Sequence, residues 1–290
     1  MQHKSVLLDE VLVQVPSANA GRLLDVTAGG GGHFFEILAQ RPAWTGVCLD
    51  RDPDARARLE ARASEKGIRP DRWTFLPQTF SQDGGVAGSF TFALADLGIS
   101  SFQLDDPARG MSFRSESAPD FRMDPTRGMS FREWLATQRE SDLVFLFEEF
   151  AEEPRAKILA KAFGSIGDAD LRSATTLADF VKRELRYGAT SKKHPAAKIF
   201  QAFRMAINAE IPELKAMLAW VPTRLEPHGR FGVISFHSIE DRFVKNTFKS
   251  LAESGDFDIL TKRPVAPSAG EVEFNSRARS AKLRVIEKNV

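Results

Sequence analysis

Residues 22–40 read Arg22-Leu-Leu-Asp-Val-Thr-Ala-Gly-Gly-Gly-Gly-His-Phe-Phe-Glu-Ile-Leu-Ala-Gln40, and this stretch decides how the chain folds. RLLDV (22–26) is an apolar run of strand length. Four glycines follow, then HFFEILAQ with apolar residues at helical spacing, closed by Arg41-Pro42. Strand, glycine turn and helix open a βα unit whose turn lies at the carboxyl end of its strand. Glycine has no Cβ, so four in a row mean that something lies very close to this main chain. The candidates are a phosphate, a nucleoside or another piece of the protein.

The phosphate answer is weak. In the dinucleotide fingerprint G-x-G-x-x-G the last glycine would fall on Phe34 or Phe35, and no Gly-Lys-Ser/Thr ending makes a P-loop. Asp50 ends the next apolar run, WTGVCLD (44–50), 20 residues beyond Gly30. An acid there can accept both hydroxyls of a ribose. Ribose recognition without a phosphate cradle points to S-adenosylmethionine, a nucleoside joined to an amino acid. The structural alternative is that Asp25 and Asp50 only cap the helices that follow them.

Outward from this unit the βα rhythm continues. A charged helix begins near Pro53, WTFLP (73–77) reads as a third strand and FTFALADL (90–97) as a fourth. These runs are apolar on both faces, as strands of a parallel sheet covered by helices are. The rhythm stops after Ser101. Residues 102–128 are polar and turn-rich, and helical patterns follow at 131–151, 153–164 and 175–186, with one long helix expected from Pro195 to Trp220. FGVISF (231–236) restores the buried-strand pattern and AKLRVIE (281–287) supplies a late strand. The chain therefore reads as an α/β protein, doubly wound, with a helical insertion between its fourth and fifth strands. The expected boundaries are 1–104 and 195–290 for the sheet domain and 105–194 for the insertion. RGMSFR occurs at 109–114 and at 127–132, but the likeness stops on both sides and is a coincidence; in the second copy Ser130 and Glu133 form a capping box.

Composition narrows the class. The chain has 290 residues, 42% of them apolar, and a net charge of +1. No apolar run approaches the roughly 20 residues of a membrane span, and the start resembles no signal peptide. The single cysteine, Cys48, can form neither an internal disulfide nor a cysteine-rich metal site, and no H-x-x-x-H spacing exists, so no metal is expected. A cytoplasmic location fits. Basic residues are unevenly placed: residues 182–204 hold seven Lys/Arg against one Glu, and 261–290 hold seven against three. Such patches let a near-neutral protein hold a polyanion, or they are solvated helix faces.

The motifs Asp25-x-Thr-x-Gly-Gly-Gly-Gly-His33, Asp50-Arg-Asp-Pro53, Asp96-Leu-Gly-Ile-Ser-Ser-Phe-Gln-Leu-Asp-Asp106 and Arg109-Gly-Met-Ser-Phe113 resemble the bacterial ribosomal RNA small subunit methyltransferase H family, also called MraW. The resemblance continues through Asp120-Phe-Arg-Met-Asp124, His194-Pro-Ala-Ala-Lys-Ile-Phe-Gln-Ala-Phe-Arg204, Ile234-Ser-Phe-His-Ser-Ile-Glu-Asp-Arg242 and Asn275-Ser-Arg-Ala-Arg-Ser-Ala-Lys-Leu-Arg284. Each motif is weak alone; together, in order from His3 to the C-terminus, they are specific.

The resemblance implies a Rossmann-like methyltransferase sheet with a helical insertion. It also implies N4-methylation of a cytidine in the decoding region of 16S ribosomal RNA, with S-adenosylmethionine as cofactor. Its cofactor positions fall on the glycine turn (Gly30, Gly31, Gly32 and His33), on Asp50, Phe80, Asp96 and Gln103. Departures occur at Asp25-Val-Thr27, Ala118-Pro-Asp-Phe-Arg-Met123 and Phe150-Ala-Glu-Glu153.

Asp96 has two candidate jobs, holding the cofactor or accepting a proton from the target amine. A base must leave its stack to reach such a pocket, so basic and aromatic residues should surround the mouth. Arg109, Phe113, Arg114, Arg122, Lys192 and Lys193 are the candidates for RNA contact. For the arginines the alternative is loop-ordering ion pairs with Asp105, Asp106, Asp120 and Asp124. His33 is expected to act through its backbone, and Ser238 to cap the helix after the fifth strand. The partners expected are 16S ribosomal RNA within the small ribosomal subunit, with no membrane; a homodimer is left open. Two rivals remain: a methyltransferase of the same fold for another RNA, a protein or a small molecule, and a non-catalytic ribosome assembly factor.

Overall fold

The structure, a computed structural model, describes residues 5–186, 194 and 196–290. The chain divides into two compact units, one formed by Met1–Gly98 with Pro212–Val290 and the other by Ile99–Ile211. The second unit thus begins before, and ends after, the 105–194 insertion read from the sequence.

The first unit is built on a seven-stranded sheet in the order β3-β2-β1-β4-β5-β7-β6. Strands β1 (Arg22–Asp25), β2 (Thr45–Leu49), β3 (Trp73–Leu76), β4 (Phe90–Asp96) and β5 (Leu225–Ser235) pair in parallel. β6 (Phe257–Ile259) and β7 (Lys282–Lys288) close the far edge antiparallel, with β7 between β5 and β6. Two-sided burial explains the continuous apolar runs: Phe90 to Ala95 of β4 are all buried. Helix α1 (Leu8–Gln14), α2 (Gly32–Gln40) and α3 (Ala55–Glu65) contribute Val11, Phe34, Phe35, Ile37, Leu38 and Leu59 to one core with Trp44, Phe92 and Ile234.

Two expectations for this sheet are corrected. β6 escaped notice because three residues, Phe-Asp-Ile, are too short to show a period of two. β5 starts at Leu225 rather than Phe231, since Glu226-Pro-His-Gly229 carries turn chemistry inside a strand. His228 there has φ +59°, and the β4–β5 register shifts between Phe90 and Phe92, which marks an irregularity rather than a regular ladder.

The second unit is helical: α4 (Ser101–Asp105), α5 (Phe131–Ala136), α6 (Glu140–Glu149), α7 (Ala156–Phe163), α8 (Ala174–Glu184) and α9 (Ala196–Ile207). Its core is dense in phenylalanine. The Phe203 ring meets Phe121, Phe131, Phe147 and Phe163, each at a centroid separation between 4.9 and 5.6 Å. Capping boxes open α4 at Ser100–Gln103, α5 at Ser130–Glu133 and α8 at Ser173–Thr176.

The long helix expected over 195–220 is two helices, α9 and α10 (Glu210–Trp220). Between them Ala209 takes φ +51°, a conformation that ends a helix. Buried Asn208 supplies the reason. Its Nδ2 donates to the carbonyls of Phe121 (2.7 Å) and Arg204 (2.8 Å), and its Oδ1 accepts from the Met123 amide at 2.8 Å. One side chain thereby satisfies the main chain of the turn-rich loop, at the cost of the helix it sits on.

Candidate active site

The carboxyl ends of β1, β2 and β4 lie side by side, and an acid marks each: Asp25 ends β1, Asp50 follows β2 and Asp96 ends β4. The glycine turn is hung from these strand ends. The Ala28 amide donates to the Leu49 carbonyl at 2.8 Å, and the Gly29 amide donates to Asp50 Oδ2 at 2.7 Å. The Asp52 amide donates to Asp50 Oδ1 at 2.8 Å, so each oxygen of Asp50 already holds one amide. A carboxylate has about four lone-pair sites, which leaves room for two hydroxyl donors. Asp50 is thus a turn cap with lone pairs to spare.

What comes close to the glycines is partly the protein itself. Gly31 has φ +74°, and a Cβ there would lie 2.5 Å from the Phe35 ring. A Cβ on Gly32 would lie 2.0 Å from Ser5 Oγ. Gly31 needs glycine for its backbone angle and for packing, whereas at Gly32 a Cβ would have to turn the Ser5 hydroxyl aside.

His33 corrects another expectation, because its ring does structural work. Nε2 donates to the Val6 carbonyl at 2.9 Å. Burial holds the imidazole's pKa down at about 4, against a rise from that carbonyl, so it is neutral at pH 7. A carbonyl only accepts, so Nε2 carries the proton and Nδ1 a lone pair, facing Asp96 Oδ2 at 3.6 Å. Thr27, which drew no attention as a site residue, links two acids. Its Oγ1 accepts from the Asp96 amide at 2.6 Å, and its amide donates to Asp25 Oδ1 at 2.9 Å. The Asp-x-Thr spacing signals its bond to Asp25 but not the one to Asp96.

The three acids are strained electrostatically. Burial pushes the Asp25 carboxyl, 3% exposed, up to about 7, against the pull of the Thr27 amide and with added push from Asp50. Burial raises Asp50 as well, opposed by the Asp52 and Gly29 amides. Asp96 is raised well above the ordinary carboxyl range, by burial first, then by the charges of Asp25 and Glu240. Its side chain is 28% exposed, yet Oδ1 is buried and has no hydrogen-bond partner among the described residues. A row of buried carboxyls, with Arg58 lowering Asp50 but no cation among the causes for Asp25 or Asp96, suits a positively charged ligand. S-adenosylmethionine, with a sulfonium, an ammonium and two ribose hydroxyls, fits that donor set.

Phe80 is half-buried in the loop after β3, where its carbonyl accepts from Trp220 Nε1 at 2.9 Å. Gly98 has φ +92°, and a Cβ there would make only ordinary contact with Phe236, so its backbone angle rather than close approach requires glycine. After β5, the cap of α11 (Ser238–Glu253) is His237 and not Ser238: His237 Nδ1 accepts from the Glu240 amide at 3.4 Å. Asp241 is instead bound by Arg284 Nε at 2.7 Å and Lys282 Nζ at 2.9 Å.

The other predicted residues belong to the second unit. Gln103 is buried, and its Oε1 accepts from the Ser100 amide at 3.1 Å in the α4 capping box. Arg109 donates to the Met123 carbonyl at 2.6 Å. Arg122 is a loop clamp: it pairs with Asp120 through Nη2 at 2.6 Å, reaches the Gly128 carbonyl at 3.1 Å, and is only 18% exposed. Phe113 stacks on the His194 ring at 4.8 Å, and exposed Arg114 lies over Phe113, 5.5 Å from its centroid. Lys192 and Lys193 lie outside the described residues.

A Rossmann-like, mainly parallel sheet with a glycine turn after its first strand and an acid with spare lone pairs after its second is the frame of an enzyme that can take a nucleoside cofactor. The model of the MraW methylase family matches residues 1–289, and the chain belongs to that family. It is 38% identical over 292 residues to the ribosomal RNA small subunit methyltransferase H of Rippkaea orientalis, covering 99% of this chain and 93% of the relative. The counterpart of a Synechococcus strain is 40% identical over 295 residues, covering 98% of this chain and 94% of the relative. Among solved structures, an rRNA methylase from Streptococcus thermophilus aligns over 100% of this chain and 99% of its own, with a TM-score of 0.47 and 12% identity. No helix among the described residues is long and apolar enough to cross a membrane.

Proposed function

We propose that this methyltransferase transfers a methyl group from S-adenosylmethionine to N4 of a cytidine in the decoding region of 16S ribosomal RNA, acting on the small ribosomal subunit. Family membership and near full-length likeness to small subunit methyltransferases support the substrate. The observation that carries the chemistry is Asp96, whose Oδ1 is buried without a partner at the end of β4.

When bound, S-adenosylmethionine supplies a methyl group on a cationic sulfur. Asp50 takes the ribose hydroxyls on the lone pairs that Gly29 and Asp52 leave free. Gly30, Gly31 and Gly32 let the ligand lie against the main chain, and Phe80 offers an aromatic face to the adenine. The amino group of cytosine is a weak nucleophile, because its lone pair is delocalised into the ring. Asp96 accepts a hydrogen bond from that amine and then its proton, a role typically worth 10²–10⁴-fold in rate. His33, neutral and fixed by Val6, holds a lone pair beside Asp96 and adds no positive charge that would weaken the base. In the second unit exposed Arg114, resting on the Phe113 ring, is the group we assign to RNA, by phosphate contact.

The test is transfer of labelled methyl groups to small subunits that lack the modification, followed by digestion of the RNA to nucleosides. Label in N4-methylcytidine, lost with Asp50→Ala, is the expected result. Tight cofactor binding with label in another nucleoside, or in none, would sink the substrate assignment.

A further inference from the structure

The loops that follow β2 and β3 carry the two residues assigned above to the nucleoside, Asp50 and Phe80. The strands are neighbours, with Leu49 opposite Leu76, and the Asp50 amide donates to the Leu76 carbonyl at 3.4 Å. One helix from far along the chain meets both loops. Glu213 of α10 divides its carboxylate between them. Oε1 faces Arg51 Nη2 at 3.1 Å, in an ion pair whose side chains are 16% and 17% exposed. Oε2 accepts from the Ser81 amide at 3.3 Å. Two turns further along the helix, Trp220 Nε1 donates to the Phe80 carbonyl at 2.9 Å. All of these residues lie in the first unit.

The Phe80 carbonyl and the Ser81 amide are the two polar groups of a single peptide unit. They point opposite ways in one rigid plane, so their partners must stand on either side of it. Residues seven apart on a helix share a face and lie about 10 Å apart along it, a span that brackets one peptide and its two hydrogen bonds. Buried Leu214, Met217 and Leu218 seat α10, so both side chains act from a fixed frame. A bond to either group alone would tether the loop. The pair also sets the angle of the plane, which restrains rotation about the Cα–C bond of Phe80, one of the two soft torsions at that residue. Arg51 follows Asp50 directly, so the Glu213 carboxylate sets the Phe80 peptide relative to the proposed ribose acid.

We infer that Glu213 and Trp220 are positioning residues for the cofactor: by holding the Phe80–Ser81 peptide at both ends, they aim the Phe80 ring at the adenine of a nucleoside whose ribose sits on Asp50. Both act through Phe80. A ring already in place spares the binding step the cost of ordering it. α10 is thereby a source of selectivity for the base rather than of affinity in general. The inference rests on the proposed reading of Phe80 as the adenine platform and Asp50 as the ribose ligand.

The experiment compares S-adenosylhomocysteine with S-ribosylhomocysteine, which carries a hydroxyl in place of the adenine, by NMR titration of the full chain. The wild-type protein should favour the first by about tenfold or more, as one stacked base is worth, and Phe80→Ala should abolish most of that ratio. Trp220→Phe keeps an aromatic ring but loses the donor. It should cut the ratio by about threefold to tenfold and leave the affinity for S-ribosylhomocysteine within about twofold. Glu213→Ala should cut the ratio likewise, and Glu213→Gln, which keeps an oxygen for the Ser81 amide, should restore it. A ratio unchanged in Trp220→Phe and Glu213→Ala, or equal losses for both ligands, would overturn the inference and leave α10 a structural support for the loop. A wild-type ratio below about twofold, or one that Phe80→Ala leaves intact, would end the adenine reading of Phe80 itself, and the inference with it. If Glu213→Ala does not fold, the contrast between Trp220→Phe and Glu213→Gln carries the comparison.

Discussion

Asp50 and Asp96 stand at the ends of strands in one sheet, but their surroundings differ. At Asp50 each carboxylate oxygen already holds a backbone amide, and the turn it secures is packed against Ser5, Phe35 and Leu59. At Asp96 one oxygen is buried with no partner, and the nearest charges are those of other acids. The first corner is complete before any ligand arrives and gives a rigid seat. The second is left electrostatically unfinished, which is what a proton acceptor requires.

The sharpest way to break this contrast is Asp96→Asn. The amide cannot take a proton, so turnover should fall by about 10³-fold while cofactor affinity changes less than about threefold, read by single-turnover kinetics beside calorimetric binding. Equal losses in both would assign Asp96 to the cofactor alone.

The unfinished side also has a stability cost. The carboxyl of Asp25 titrates near 7 when folded against 3.8 ordinarily, so between those values the folded chain binds the extra proton. Stability must therefore fall as pH rises from about 4 to about 7, by up to on the order of 4 kcal/mol for a shift of this size. Below that window the penalty is absent and above it complete. Asp25→Asn should flatten the dependence of melting temperature on pH across this range. An unchanged slope would place the proton elsewhere.

On the finished side, Gly31→Ala strains a backbone at φ +74° and pushes Cβ into the Phe35 ring. A loss of about 2–3 kcal/mol of stability is expected in chemical denaturation, with the cofactor seat weakened in step. Normal stability with lost binding would show that the glycine serves the ligand only.

How much of this was visible in the sequence follows from range. The βα rhythm, the glycine turn and Asp50 were legible because period and spacing are local, and β1 to β4 lie where the apolar runs put them. The Ser130–Glu133 box was legible for the same reason. The break at Asn208 was not, because its cause is a bond to Phe121, 87 residues away. The roles of Thr27 and of the His33 ring depend on partners across the fold, Asp96 and Val6, that no spacing rule names.

The same contrast between satisfied and available groups recurs within the second unit, in two arginines that the sequence offered as equals. Arg122 is held by Asp120 and by the carbonyls of the following loop, so its donors are spent on ordering residues 120–128. Arg114 is exposed and rests on the face of Phe113, which in turn stacks on His194. A guanidinium in that position can reach a phosphate without breaking any bond that shapes the loop. If RNA meets this unit as proposed, Arg114→Ala removes one phosphate contact: affinity for small subunits should fall by about fivefold, and the slope of log affinity against log salt should shrink by about one. Arg122→Ala should lower the melting temperature and leave that salt slope unchanged. The opposite pattern, a salt slope that responds to Arg122 and not to Arg114, would mean that the clamp opens on binding and that the exposed arginine is only a solvated surface charge.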